Sequence, residues 1–159
     1  MKVTSISRKA FERLEKMQLS RNVRNTEAVI YNYSTRLSPT QKVFKKLHHQ
    51  NGPVFGNKLF TLEMLDSHKD HLPPYFCIPD SLVTVSGIVQ GFTLPKIEGR
   101  NLADVLKDSK ESVENQIFYL KKVGQMLEQM EIIRKNTGLT DIFINDLNER
   151  NFIVNDMNN

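Results

Sequence analysis

The spacing of apolar residues changes near residue 95, and this change constrains the fold more than any other feature of the sequence. Before it, short runs rich in β-branched and aromatic residues are separated by turn residues, which is typical of strands. After it, apolar residues recur every three or four positions, which is typical of helices. The 159 residues are therefore predicted to form an α+β fold, with a strand-rich first half and a helical second half.

The first half contains four predicted strands, at residues 28–33, 41–47, 81–85 and 88–94. A short link joins the first two strands, and another joins the last two, which predicts two antiparallel hairpins. A helix is predicted from Asn57 to about Lys69, between the hairpins. A leading helix is predicted from Ser7 to Leu19, although its last residues also suit the start of a strand. Together these elements predict an antiparallel sheet with one packed helix.

The second half is predicted to contain a short helix at residues 102–107 and a long one at residues 112–135. The long helix has a mostly apolar stripe, which we expect to be buried: Val113, Ile117, Leu120, Gly124, Leu127 and Glu131. The predicted organisation is a strand-rich lobe at 1–94, a link at 95–100 and a helical part at 101–159.

Composition narrows the class of protein. Apolar residues make up 39% of the chain and charged residues 25%, as in globular proteins. With one cysteine, Cys77, the chain has no internal disulfide, and we expect a cytoplasmic protein. There is no leader and no bilayer-spanning apolar run, so a membrane is not an expected partner. The net charge of +4 accompanies no recognised nucleic-acid-binding motif, so nucleic acid is not an expected partner.

The stretch Phe143–Val154 carries the candidate chemistry. An apolar pair leads into Asp146, Asn151 follows five residues later, and an apolar strand-like run comes next. A loop of this kind presents a carboxylate that accepts a proton and an amide oxygen that binds a metal ion. Asp and Asn are also common in loops because they cap helices and close turns, so this spacing alone leaves a structural role open.

The layout resembles the catalytic loop of protein kinases and their small-molecule relatives, written H-R-D-L-x-x-x-x-N. The resemblance implies that Asp146 is the catalytic base and that Asn151 binds Mg²⁺. Upstream, the run from Lys42 to Lys45 resembles the V-A-I-K strand of that family. It implies that Lys45 contacts the α- and β-phosphates of ATP and that Glu63, on the following helix, positions Lys45.

Residues 94–102 resemble the kinase hinge, often written as an apolar pair followed by E-G-x-x-L. The resemblance implies that Leu94 is the gatekeeper residue and that the Pro95 carbonyl and the Ile97 N–H face the adenine edge. Three further residues are implied to line the nucleotide: Ala28, Ile30 and Val43. The resemblance thus predicts an ATP- and Mg²⁺-dependent phosphotransferase with nucleotide as a partner.

The sequence departs from the family at two places. The phosphate-covering motif G-x-G-x-x-G-x-V would place its glycines at Val23, Asn25 and Ala28, so none is present. Ile144 and Asn145 replace the usual His-Arg. These departures favour the aminoglycoside and choline kinase type over typical protein kinases. They also leave open a pseudokinase-type binding or interaction module, or an unrelated α+β interaction domain.

The family's second metal ligand, the Asp of D-F-G, has no counterpart before Asn159. We therefore expect the chain to be the N-terminal part of a longer kinase-like protein, with a truncated helical lobe and no transferase activity by itself. A naturally short chain completed by a partner is the alternative. The phosphate acceptor is not identified. An apolar helix face without a partner further predicts a homo-oligomer formed through residues 112–135.

Overall fold

The computed structural model describes residues 1–19, 28–33, 41–48, 53–138, 148 and 151–155. The chain divides into two compact units, Met1–Lys96 and Ile97–Asn159. The division falls inside the link that the sequence predicts at residues 95–100. No helix within the described ranges has the length and apolar character needed to cross a membrane.

The first unit contains a five-stranded mixed sheet. Its strands are β1 (Lys2–Ile6), β2 (Ala28–Tyr33), β3 (Lys42–Leu47), β4 (Ser81–Val85) and β5 (Ile88–Pro95). They lie side by side in the order β1-β4-β5-β3-β2. The pairs β2–β3 and β4–β5 are antiparallel, which confirms both predicted hairpins, and β3 also pairs antiparallel with β5.

The prediction of a wholly antiparallel sheet is wrong at one edge, because β1 pairs in parallel with β4. Lys2 lies opposite Ser81, and Ile6 lies opposite Val85. The sequence reasoning missed β1 because a five-residue edge strand buries little apolar surface. Val3 remains 59% exposed, so the segment lacks the alternation that marks a strand with one buried face.

Helix α1 (Arg8–Glu15) covers one face of the sheet. It begins at Ser7, whose hydroxyl accepts a hydrogen bond from the Ala10 N–H at 3.2 Å. Phe11 and Leu14 are buried in one cluster with residues of three strands: Val29, Tyr31, Phe44 and Val83. The predicted extension to Leu19 is wrong, and the strand-like alternative holds, because the Leu19 N–H donates to the Ile30 carbonyl instead.

Helix α2 (Pro53–Ser67) covers the opposite face. Its Leu62 is buried in a second cluster with strand residues Ala28, Leu47, Leu82 and Phe92. The helix begins four residues before the predicted Asn57, because the fixed φ of Pro53 suits the first turn of a helix. The packed helix is therefore confirmed, with a different start.

The second unit contains β6 (Arg100–Asn101), α3 (Leu102–Lys107), α4 (Val113–Thr137) and β7 (Ile153–Val154). The two short strands pair antiparallel. Helix α3 has the predicted bounds, and Asn101 caps it by accepting from the Ala103 N–H at 3.0 Å. Leu102, Val105 and Val154 form a cluster of buried residues in the described part of this unit.

The predicted buried stripe of α4 is wrong. Tyr119 and Val123 pack on the unit's core, and Met130 is buried. Val113, Ile117 and Leu120, by contrast, are 64%, 46% and 51% exposed. The sequence has apolar residues on two adjacent sides of this helix, and spacing alone does not say which side packs.

Candidate nucleotide-binding face

Two adjacent lysines of β3 lie on opposite faces of the sheet. The Lys46 ammonium forms an ion pair with Glu15 of α1 and lies 5.2 Å from the centroid of the Phe11 ring. The Lys45 ammonium lies on the α2 side, 5.9 Å from the centroid of the Phe92 ring. Side chains alternate along a strand, so the two lysines are separated by the sheet itself. Lys46 thus stabilises the packing of α1, and Lys45 faces α2.

Only part of the α2 side of the sheet is buried. In the register of the sheet, Lys45 lies between Ile30 and Phe92, and Val43 lies opposite Leu94 in the neighbouring row. Phe92 belongs to the core beneath α2. Ile30 is 37% exposed, and Val43 and Leu94 are half-buried. We call Ile30, Val43 and Leu94 the open face; Lys45 lies at its border with the core.

Ala28 does not belong to the open face. It lies opposite Leu47 at the far end of the β2–β3 pair and is buried in the cluster with Leu47 and Leu62. The position that corresponds to the third glycine of the kinase motif therefore contributes packing to the core.

Glu63 lies on the helix that covers the Lys45 side of the sheet, next to the buried Leu62, and it is exposed. The ion pairs formed among the described residues include none between Lys45 and Glu63. The two elements share one side of the sheet, and the pairing stays a prediction.

The predicted hinge begins where β5 ends, at Pro95. Its carbonyl accepts a weak hydrogen bond from the Cys77 thiol at 3.7 Å. Desolvation, together with the Asp80 carboxylate, raises the pKa of Cys77 and keeps the thiol protonated as a donor. The Lys96 N–H donates to the Gln41 carbonyl at 3.0 Å. The carbonyl that the resemblance assigns to the adenine edge therefore already has a donor.

Ile97, the other predicted hinge residue, lies in the second unit and is 36% exposed. Asp146, the predicted base, lies outside the described residues.

Asn151, the predicted metal ligand, is exposed and lies two residues before the start of β7. Its N–H donates to the Asn148 carbonyl at 2.8 Å. The next residue, Phe152, accepts from the Leu102 N–H at 2.9 Å. The end of the predicted catalytic loop is thus attached to the start of α3.

The glycine of the hinge-like motif, Gly99, is required by the backbone conformation. Its φ of +156° is rare for residues with a side chain. A Cβ added there would lie 2.2 Å from the Val154 carbonyl oxygen and 2.8 Å from Cγ2 of Ile153. Glycine is required because the backbone passes directly against β7, which follows the catalytic-loop stretch.

Arg100 is a structural residue that sequence reasoning missed. Its guanidinium bonds Asp108 at 3.3 Å and Glu111 at 2.6 Å. The hydrogen bond from Arg100 is the main cause of the lowered pKa of Glu111, and a second bond from Asn115 adds to it. The one available signal was the basic residue next to Gly99 with acids eight and eleven positions later; the three residues lie on no single helix or strand, so periodicity does not connect them.

Comparisons with known proteins identify no family. No protein-family model matches the chain, and no curated protein sequence matches it. Any functional interpretation therefore depends on the chemistry of the chain's own residues.

Proposed function

We propose that the first unit binds a nucleotide on the open face, as part of an ATP- and Mg²⁺-dependent phosphotransferase of kinase-like type. The observation that carries the proposal is the placement of Lys45 beside Ile30, Val43 and Leu94. A nucleotide combines a flat, largely apolar base with an anionic phosphate chain. It therefore suits a surface where exposed apolar side chains border a cation.

The spacing on β3 fits such a ligand. Val43 and Lys45 point to the same side and are about 7 Å apart along the strand. A base packed on Val43 and Leu94 would leave its phosphates near the Lys45 ammonium. Lys42 and Lys46 alternate with Lys45 along β3 and point to the other side of the sheet. Lys45 is thus the β3 lysine on the side of the open face.

The remaining roles follow the kinase resemblance. Bound ATP would supply the phosphoryl group, and Mg²⁺ would neutralise charge that develops on it. Asn151 would contribute an amide oxygen to the metal, and Asp146 would accept the proton of the acceptor hydroxyl. Glu63 would orient Lys45 once nucleotide is bound. The fold itself establishes only an α+β architecture with a mixed sheet, so these roles are hypotheses.

A second candidate is a nucleotide-binding or protein-interaction module that does not transfer phosphate. Two observations favour it. Ala28, at a position where the family has a phosphate-binding glycine, is buried in the core. The Pro95 carbonyl already accepts from Cys77. The strand at Ala28 thus packs into the core where a phosphate-covering loop would be expected, and the Pro95 carbonyl already has a donor, so both weaken the case for tight ATP binding.

The proposal is tested by titrating Mg·ATP into the wild type, Lys45→Ala and Lys46→Ala by calorimetry. We expect Lys45→Ala to weaken binding at least tenfold, since a charge-assisted contact to phosphate is worth about 1.5–3 kcal/mol. The matched control Lys46→Ala lies on the other face and should change affinity less than twofold. Absence of binding to the wild type would refute the proposal and the nucleotide-binding form of the second candidate, and would leave the protein-interaction module.

Phosphoryl transfer needs a separate assay. We expect nucleotide to bind to this chain without turnover, because it supplies few of the oxygen ligands that Mg²⁺ requires. The measurement is release of inorganic phosphate from ATP by wild type and Asp146→Ala. Hydrolysis by the wild type that disappears in the variant would show that the chain is active by itself and would contradict this expectation.

A further inference from the structure

One side of α4 is apolar and exposed. Val113, Ile117 and Leu120 follow one another at helical spacing and are each about half exposed or more. Gly124 continues this side one turn later, and a Cβ added to it would meet nothing within 4 Å. We call these four residues the α4 stripe. Soluble monomers rarely leave a contiguous apolar surface of this kind uncovered.

The stripe is distinct from the side of α4 that packs in the second unit. The packed side consists of Tyr119, Val123 and Met130. Successive residues of a helix are rotated by about 100°, so the centre of the packed side lies about 100° around the helix axis from the centre of the stripe. Covering the stripe therefore requires no rearrangement of the unit's core.

Two charged residues flank the stripe along the same side. Glu114 and Lys121 are exposed, lie seven positions apart, and therefore have nearly the same angular position. Neither takes part in an ion pair with another described residue. An acid and a base at this spacing suit a partner with the same two charges in reverse order.

We propose that the α4 stripe binds the α4 stripe of a second copy of this chain in an antiparallel, two-fold symmetric contact. A register that sets Ile117 opposite Leu120 of the second copy also sets Val113 opposite Gly124, where there is room for its side chain. In that register Glu114 lies about 3 Å along the axis from Lys121 of the second copy. The two-fold axis keeps the same flank together, so this ion pair forms twice.

The reversed order of the charges favours a second copy over another occupant. In a parallel two-fold pairing, Glu114 and Lys121 would lie on the flank opposite the same residues of the second copy and would face Gln116 and Val123, so neither ion pair would form. The antiparallel arrangement makes both contacts attractive and buries all apolar members of the stripe. This inference does not depend on nucleotide binding.

The test is the dissociation constant of the full chain, measured by sedimentation equilibrium for five variants and the wild type. Leu120→Glu should weaken the dimer about 100-fold or more, since each copy loses a buried leucine and gains a charge. Phe118→Glu is the matched control: Phe118 is 48% exposed at the same level of α4 but on its other side. It should change the constant less than threefold.

Charge reversal tests the register itself. Glu114→Lys and Lys121→Glu should each weaken self-association about tenfold, because each creates two like-charge contacts. An equimolar mixture of these two variants should restore association, since the mixed pair has two opposite-charge contacts. The double variant Glu114→Lys with Lys121→Glu should also restore it.

If the wild type remains monomeric at about 100 μM, on the order of the highest practical concentration, the proposal is refuted. The stripe would then be covered by another protein or segment. A dimer that Leu120→Glu leaves unchanged would also overturn it. A dimer that Leu120→Glu disrupts, but that the mixed charge variants do not restore, would refute the antiparallel register.

Discussion

Replacing Gly99 by alanine should disrupt the pairing of β6 with β7. The rare φ of +156° costs a residue with a Cβ about 1–3 kcal/mol. The added methyl would also lie 2.2 Å from the Val154 carbonyl, so the strand must move away. Val154 is 9% exposed, and losing its burial costs about 1.5–3 kcal/mol. We therefore expect a loss of about 3–5 kcal/mol in the free energy of unfolding of the second unit.

Gly138→Ala separates the backbone cost from the contact cost. Gly138 has a φ of +69° at the end of α4, and a Cβ there would meet nothing within 4 Å. It should cost about 1–2 kcal/mol, from conformation alone. The second control, Gly56→Ala in α2, has neither constraint and should stabilise the first unit by about 0.5–1 kcal/mol.

The assay is urea unfolding followed by far-ultraviolet circular dichroism, since the chain has no tryptophan. Hydrogen exchange with mass spectrometry then assigns the loss to one unit. In Gly99→Ala, amides of β6 and β7 should exchange faster, and those of β3 and β5 should keep their rates. A Gly99→Ala variant no less stable than Gly138→Ala would refute the argument from close backbone approach.

Three further predictions follow from individual contacts. Phe44 is fully buried between α1 and the sheet, so Phe44→Ala should lower the stability of the first unit by about 3–5 kcal/mol in the same urea assay; a smaller loss than 1 kcal/mol would contradict the packing. The pKa of Glu111 is lowered by Arg100, so its stabilising contribution is present above the unfolded pKa and is lost as the pH falls through the folded pKa. The melting temperature should therefore fall more steeply between pH 7 and pH 3 in the wild type than in Arg100→Ala. If the two proteins lose the same amount over this range, the Arg100–Glu111 ion pair does not contribute to stability. The raised pKa of Cys77 predicts slow alkylation at pH 8, and Asp80→Asn should speed it by lowering that pKa; an unchanged rate profile between pH 7 and 10 would refute the effect of Asp80.

The sequence was most informative where a residue's role depends on its immediate neighbours. The hairpin strands and α3 follow from local patterns of apolar and turn residues, and the alternation of Lys45 and Lys46 follows from the geometry of a single strand. Each of these features depends on a few consecutive residues.

Features that depend on distant partners were missed. The strand β1 is defined by its parallel neighbour β4, which lies about eighty residues later in the chain. The packed side of α4 is decided by which apolar side meets α3, and the sequence has apolar residues on both. The role of Arg100 depends on two acids brought close by the turn between α3 and α4. None of these follows from periodicity.

The central claim, that Lys45 faces the phosphates of a bound nucleotide, can be tested by covalent labelling. An acyl-phosphate derivative of ATP transfers its acyl group to a lysine amine near the phosphates and releases ATP. Peptide mass spectrometry then identifies the modified lysine. We predict that Lys45 is labelled, that excess Mg·ATP suppresses its labelling, and that Lys46, paired with Glu15 on the other face, is not labelled above background. Labelling of Lys46 at the same rate as Lys45, or labelling of Lys45 that ATP does not suppress, would contradict the claim.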